Sequence, residues 1–225
     1  MGNCLHKFKI YKNGFTLAEV LITLVIVGVV AALTIPTLIN KTQKHEIVAG
    51  VKKAYSTLLQ AQMNMARNND AAVGDYSFLK DINFIDEFAK VTNVVQKEDG
   101  IAGCLGSNYT SEYKWLNGGA NGLISMADVS KAHCCIMSDG MLYVHTTVVN
   151  NHGQTSEDAE NIIGSVFVDV NGKKGPNVWG RDLFLFDVLS TKGILPGGYS
   201  TGDCNSSSMG YNCTAKVLRE NAINY

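Results

Sequence analysis

The chain has 225 residues, enough for one domain with a buried core, or one domain plus an appendage. Its 19 Lys and Arg nearly balance 20 Asp and Glu, which argues against a broad basic surface for bulk nucleic-acid binding. Charged residues are sparse at 17%, Gly numbers 22 and Pro only 3, the profile of an ordered, loop-rich domain and not of a disordered chain.

The first fourteen residues carry Lys7, Lys9 and Lys12 and no acid. Without them the 19 basic residues become 16 against 20 acidic, a net charge of −4. From Phe15 to Ile39 the chain reads FTLAEVLITLVIVGVVAALTIPTLI, 25 residues with one formal charge, Glu19. As a helix this run is about 37 Å long, enough to cross a hydrocarbon layer of about 30 Å. The lysines before it place the short leader in the cytoplasm and the larger part on the far side. Glu19 is costly in such a segment and needs a partner, yet the run holds no Lys, Arg or His. A cut between Gly14 and Phe15 would create an α-ammonium four residues before Glu19. Paired between neighbouring subunits, that contact is heterologous and builds a filament.

At these residues a resemblance becomes specific. Lys12-Asn13-Gly14-Phe15-Thr16-Leu17-Ala18-Glu19 resembles the processing motif of type IV pilins and type II secretion pseudopilins. The resemblance implies cleavage after Gly14 by a prepilin peptidase, methylation of the Phe15 amine, and a docking role for Glu19. It also implies assembly with homologous subunits at the bacterial inner membrane, with the lipid bilayer as host before assembly. Pro36 falls where these helices commonly carry a proline, which loosens or kinks the helix. Two other readings compete: a secretory signal cut after Val30-Ala31-Ala32, leaving a chain that starts at Leu33, and a plain single-pass anchor.

Beyond Pro36, Ile47, Val51, Ala54/Tyr55, Leu58, Ala61/Gln62 and Met65 recur at steps of three or four. One helix is therefore expected from Phe15 to about Ala66, closed by Asn68-Asn69-Asp70. The division that follows is a leader over 1–14, an apolar membrane half over 15–39, and an amphipathic half plus soluble domain over 40–225. A second helix is expected within Ser77–Val95. A loop follows through Cys104 to Asn121, with Tyr113–Leu116 as a core anchor and a flexible turn at Gly118–Gly122. Cys134–Met137 and Met141–Val148 flank Ser138-Asp139-Gly140, a strong hairpin cue. Ile162–Val170 and Leu183–Val188 supply further strands. The sum is an α+β, pilin-like layout: a long helix packed on an antiparallel sheet, with a loop-rich C-terminal region.

Cysteine spacing suggests an oxidising compartment. Cys204 and Cys213 bracket an Asn/Ser/Gly loop and are expected to be bridged. With Cys4 in the leader, Cys104, Cys134 and Cys135 remain, and their pairing is left open. His133-Cys134-Cys135 lacks the spacing of a zinc site, so one bridged and one core cysteine are expected.

Asp169, Asn171, Asn177 and Asp182 are hard oxygen donors suited to Ca²⁺. However, Gly172 stands where an EF-hand would place a ligand, and Lys173, Lys174 and Arg181 oppose a cation. A plain Asn-Gly turn is the favoured reading, with no cofactor. His45-Glu46 begins like a zinc-protease helix, but Ala49 occupies the place of the second His. No nucleophile elbow or P-loop is present, so nothing supports enzyme activity. The functional expectation is a structural filament subunit. The alternative is a minor, tip-located subunit whose Cys204–Cys213 loop and Gly-rich turns bind DNA, a surface or secretion cargo.

Overall fold

The computed structural model describes residues 14–80, 82–106, 112–120, 132–147, 160–200, 202 and 204–225. Residues 1–13 of the basic leader, Asn121-Gly122 and Val148 lie outside these. The chain divides into two compact units at Gln43/Lys44.

Helix α1 runs from Leu17 to Asn68, 52 residues, or about 78 Å. Its apolar first part is exposed, with Leu17, Leu24, Val27 and Leu33 all more than 60% accessible. It is long and apolar enough to cross a membrane, by length and composition alone. Pro36 lies inside α1 and has no N–H for the carbonyl of Ala32, one missing rung in the ladder.

In the second unit, α1 buries Val48, Val51, Ala54, Leu58, Ala61, Gln62 and Met65. These positions form the expected 3.6-residue stripe. They pack against one face of a six-stranded sheet made of β1 (Val94–Asp99), β2 (His133–Met137), β3 (Leu142–Thr146), β4 (Ile162–Asp169), β5 (Leu183–Leu189) and β6 (Gly193–Pro196). Strand order follows the sequence and every pairing is antiparallel. The α+β layout read from the sequence is thus the observed one.

Tyr143, Val166, Val168, Phe184, Phe186 and Val188 face the helix. Successive side chains on a strand point to opposite faces. Leu142, Val144, Phe167, Leu183 and Leu185 accordingly enter a second core on the far side, with Ile101, Tyr113, Trp115 and Trp179. Burial on both faces explains why Leu183–Leu189 is almost continuously apolar and every residue in it is buried.

Several elements differ from expectation. The Ser77–Val95 helix is a 3₁₀ turn at Ser77–Lys80 followed by α2 over Phe84–Val91. Asn83 caps α2 by accepting a hydrogen bond from the Asp86 N–H at 3.4 Å. The β-branched Val94 and Val95 leave the helix for β1. The expected loop through Cys104 contains a short helix, α3 (Ile101–Leu105). A C-terminal helix, α4 (Cys213–Glu220), packs Val217 into the helix-side core.

Candidate assembly terminus and loop site

The start of α1 is organised by Thr16 and Glu19. The Thr16 N–H and hydroxyl each donate to Glu19 Oε2 at 2.8 Å. The Glu19 N–H in turn donates to Thr16 Oγ1 at 3.2 Å. This is a capping box, in which a Thr and a Glu three residues on satisfy each other's free backbone donors. The apolar run holds no Lys, Arg or His for Glu19, and Thr16 supplies two neutral donors instead. The sequence signal for this cap is Thr-x-x-Glu before an apolar stretch.

Gly14, Phe15, Glu19 and Pro36 are all exposed, Phe15 at 88%. An added Cβ at Gly14 would meet nothing within 4 Å, so the described structure itself does not demand glycine there. The Gly14–Phe15 bond precedes the first turn of α1, close to a carboxylate held by Thr16. A peptide N–H at Phe15 carries no charge. Cleavage would convert it to an ammonium one residue from Thr16.

The loop between β4 and β5 brings Asp169, Asn171, Asn177 and Asp182 together. Asp182 Oδ2 accepts from the Asn177 N–H and Oδ1 from the Val178 N–H, both at 2.7 Å. Asn171 Nδ2 reaches the Gly175 carbonyl at 3.4 Å and Asp182 Oδ2 at 3.5 Å, while its N–H donates to Asp169 Oδ1 at 3.3 Å. The Tyr113 hydroxyl donates to Asp169 Oδ2 at 2.7 Å, a partner that no local pattern announces. Burial drives the Asp169 carboxyl up to about 8, with Asp182 adding repulsion and the Tyr113 bond opposing the rise. Burial also raises Asp182, against its backbone donors. Gly172 has φ +67°, and a Cβ there would lie 2.5 Å from the Gly140 carbonyl oxygen. Its glycine is dictated by this close approach to the β2–β3 turn.

Cys204 and Cys213 are disulfide-bonded, as are Cys104 and Cys134. Cys135 is free and buried. The pleat explains the choice of partner for Cys104. Cys134 points into the far-side core beside α3, whereas Cys135 points into the helix-side core. His133 is paired with Asp99 at 2.8 Å. Among the described residues no group of three or more His, Cys, Asp or Glu is placed to hold a metal.

A charged, capped N-terminus on an exposed apolar helix, followed by an α+β domain, fits a single-pass membrane-anchored pilin. Residues 10–35 match the model of the prokaryotic N-terminal methylation motif, the prepilin-type cleavage and methylation signal of type IV pilins and pseudopilins. That motif supports a substrate of prepilin peptidase. No curated protein and no solved structure matches the chain.

Proposed function

We propose that this chain is a structural subunit of a type IV pilus or type II secretion pseudopilus, matured by cleavage between Gly14 and Phe15 and N-methylation of Phe15. It is held in the bacterial inner membrane by residues 15–39, with its disulfide-bonded domain outside the cytoplasm. It then passes into a filament with homologous subunits, moved by inner-membrane assembly machinery. Two disulfides support the oxidising side for the domain.

The observation that carries this reading is Glu19, the single charge of the exposed apolar run over 15–39, held by Thr16 beside the future amine. In the bilayer the cap lowers the cost of the carboxylate. In the filament the Phe15 ammonium of a neighbour would neutralise it, in a contact that propagates instead of closing. Glu19 sets register, and the apolar helices supply the packed core.

Replacing Glu19 with Ala tests the docking role. The variant should reach the membrane in normal amount and be lost from sheared filaments. Normal incorporation would remove Glu19 from the mechanism.

A further inference from the structure

We propose that one end of the domain is a docking surface for anionic phospholipid headgroups, carried by Lys44, Lys173, Lys174, Arg181 and Lys216. The surface rests on the reading of residues 15–39 as a membrane anchor and is independent of filament assembly.

The five cations come from three separate parts of the chain and meet at one end of the second unit. Lys44 opens that unit on α1, and its Nζ donates to the Ile223 carbonyl at 3.4 Å. Two residues on, the Tyr225 hydroxyl donates to the Gly180 carbonyl, and the adjacent Arg181 acts electrostatically on that tyrosine. Lys216 Nζ, from α4, lies 5.5 Å from the centre of the Tyr225 ring. Lys173 and Lys174 stand exposed in the loop that leads to Arg181. That loop leaves β4 at Val170, whose side chain a Cβ at Gly50 would meet at 3.1 Å. Gly50 is six residues along α1 from Lys44, about 9 Å. The other end of the sheet is fixed farther along the helix, where Gln62 accepts from the Ile194 N–H.

Among the described residues none of these five cations is ion-paired with Asp or Glu. The exposed acids that adjoin them are Glu46, on the next positions of α1, and Glu220, which acts on Tyr225. Glu112 and Lys114, on the far-side loop, add one charge of each sign. Asp139 is already paired with Lys53 at 2.7 Å, and Asp169 and Asp182 are buried on donors of their own. This excess of cations reverses the balance of the domain, since residues 69–225 carry 11 Lys and Arg against 18 Asp and Glu.

The chain itself brings lipid to this end. Lys44 follows Ile39 by five residues, about 8 Å of helix or at most about 18 Å of extended chain. The headgroup layer is about 5–7 Å deep on each side of the hydrocarbon, so the anchor puts Lys44 within reach of the phosphates. Lys and Arg next to a membrane are drawn to anionic lipid, and their apolar stems let the charged heads extend toward it. Tyr225, partly exposed among them, adds a ring of the kind that sits at the membrane–water boundary. Nucleic acid carries the same phosphates, but it would have to come from solution against the net negative charge of the domain. The anchor supplies lipid at high effective concentration.

The test places the full chain in vesicles of phosphatidylcholine alone, or of equal parts phosphatidylcholine and phosphatidylglycerol. Acylation of each lysine by a neutral, water-soluble ester is read by mass spectrometry. An anionic surface is worth about fivefold for each Lys or Arg near it, so labelling of Lys173, Lys174 and Lys216 should slow by about that factor in the mixed vesicles. Lys80, in the 3₁₀ turn, should label equally in both. Salt at about 1 M, where the screening length is about 3 Å, should erase the difference. A chain that floats with both vesicles and labels equally in them would overturn the surface alone. Protection by a short DNA duplex in phosphatidylcholine vesicles, with none from phosphatidylglycerol, would overturn it in favour of nucleic acid. A chain that fails to float with phosphatidylcholine vesicles would overturn the anchor reading, and the surface with it, so the two failures are distinct.

Discussion

Glu19 and Thr16 close on each other at the first turn of the long helix, with three hydrogen bonds of 2.8–3.2 Å between residues three apart. The carboxylate that would dock subunits is therefore also the residue that starts the helix. Thr16→Ala should cost about 0.5–2 kcal/mol of local helix stability, while Thr16→Ser should restore it. Hydrogen exchange of the Leu17–Glu19 amides reads this directly, and unchanged protection in Thr16→Ala would show that the box contributes nothing.

Gln62 joins the helix to the far edge of the sheet. Its Oε1 accepts from the buried Ile194 N–H at 2.6 Å, and Gly193 leaves room that a Cβ would close to 2.3 Å. Gln62→Met keeps the volume and orphans the donor, a loss of about 1–3 kcal/mol. For a chain of this size the melting temperature should drop by about 2–4 °C for each kcal/mol. A drop under one degree would mean that Ile194 finds another acceptor.

His145 makes the domain acid-sensitive. Its ring stacks on Phe84 at 4.8 Å, and burial pushes its pKa from the usual 6.5 down to about 3, with His133 adding a smaller repulsion. The unfolded ring takes up a proton near 6.5 and the folded ring only near 3. The stability that depends on the neutral ring is thus complete above about 6.5 and is lost as pH falls through this window, by at most about 1.4 kcal/mol per unit. Urea midpoints at several pH values should fall more steeply for the native chain than for His145→Gln. Parallel curves would contradict the assignment.

Cys135 is fully buried and its thiol is pushed up to about 12 by burial, so little thiolate exists at neutral pH. Peptides containing Cys135 should stay unmodified by iodoacetamide in the native chain and be alkylated in denaturant. Native modification would place this thiol outside the core described for it.

The parts legible in the sequence are those coded locally. The apolar run, the helical stripe from Val51 to Met65 and the Asp139-Gly140 hairpin each declare themselves within a few residues. β1 did not, because Val94–Asp99 is exposed along nearly its whole length and is a strand by virtue of pairing with β2. The far-side core was hidden for a related reason: Tyr113, Trp115, Phe167 and Trp179 meet only after the sheet has formed. Gln62 shared a place in the helical stripe with Ala61, but its acceptor role needs Ile194, distant in sequence. In the β4–β5 loop the donors were visible, but their burial and the approach of Gly172 to Gly140 were not. The Thr16 cap, by contrast, is coded within four residues, as Thr-x-x-Glu before the apolar run.

The central claim is decided at the new N-terminus. Mass spectrometry of the chain recovered from its host membrane or filaments should find a first residue of N-methylated Phe15, with Met1–Gly14 removed. A functional chain that keeps those fourteen residues, or begins at Leu33, would contradict the account.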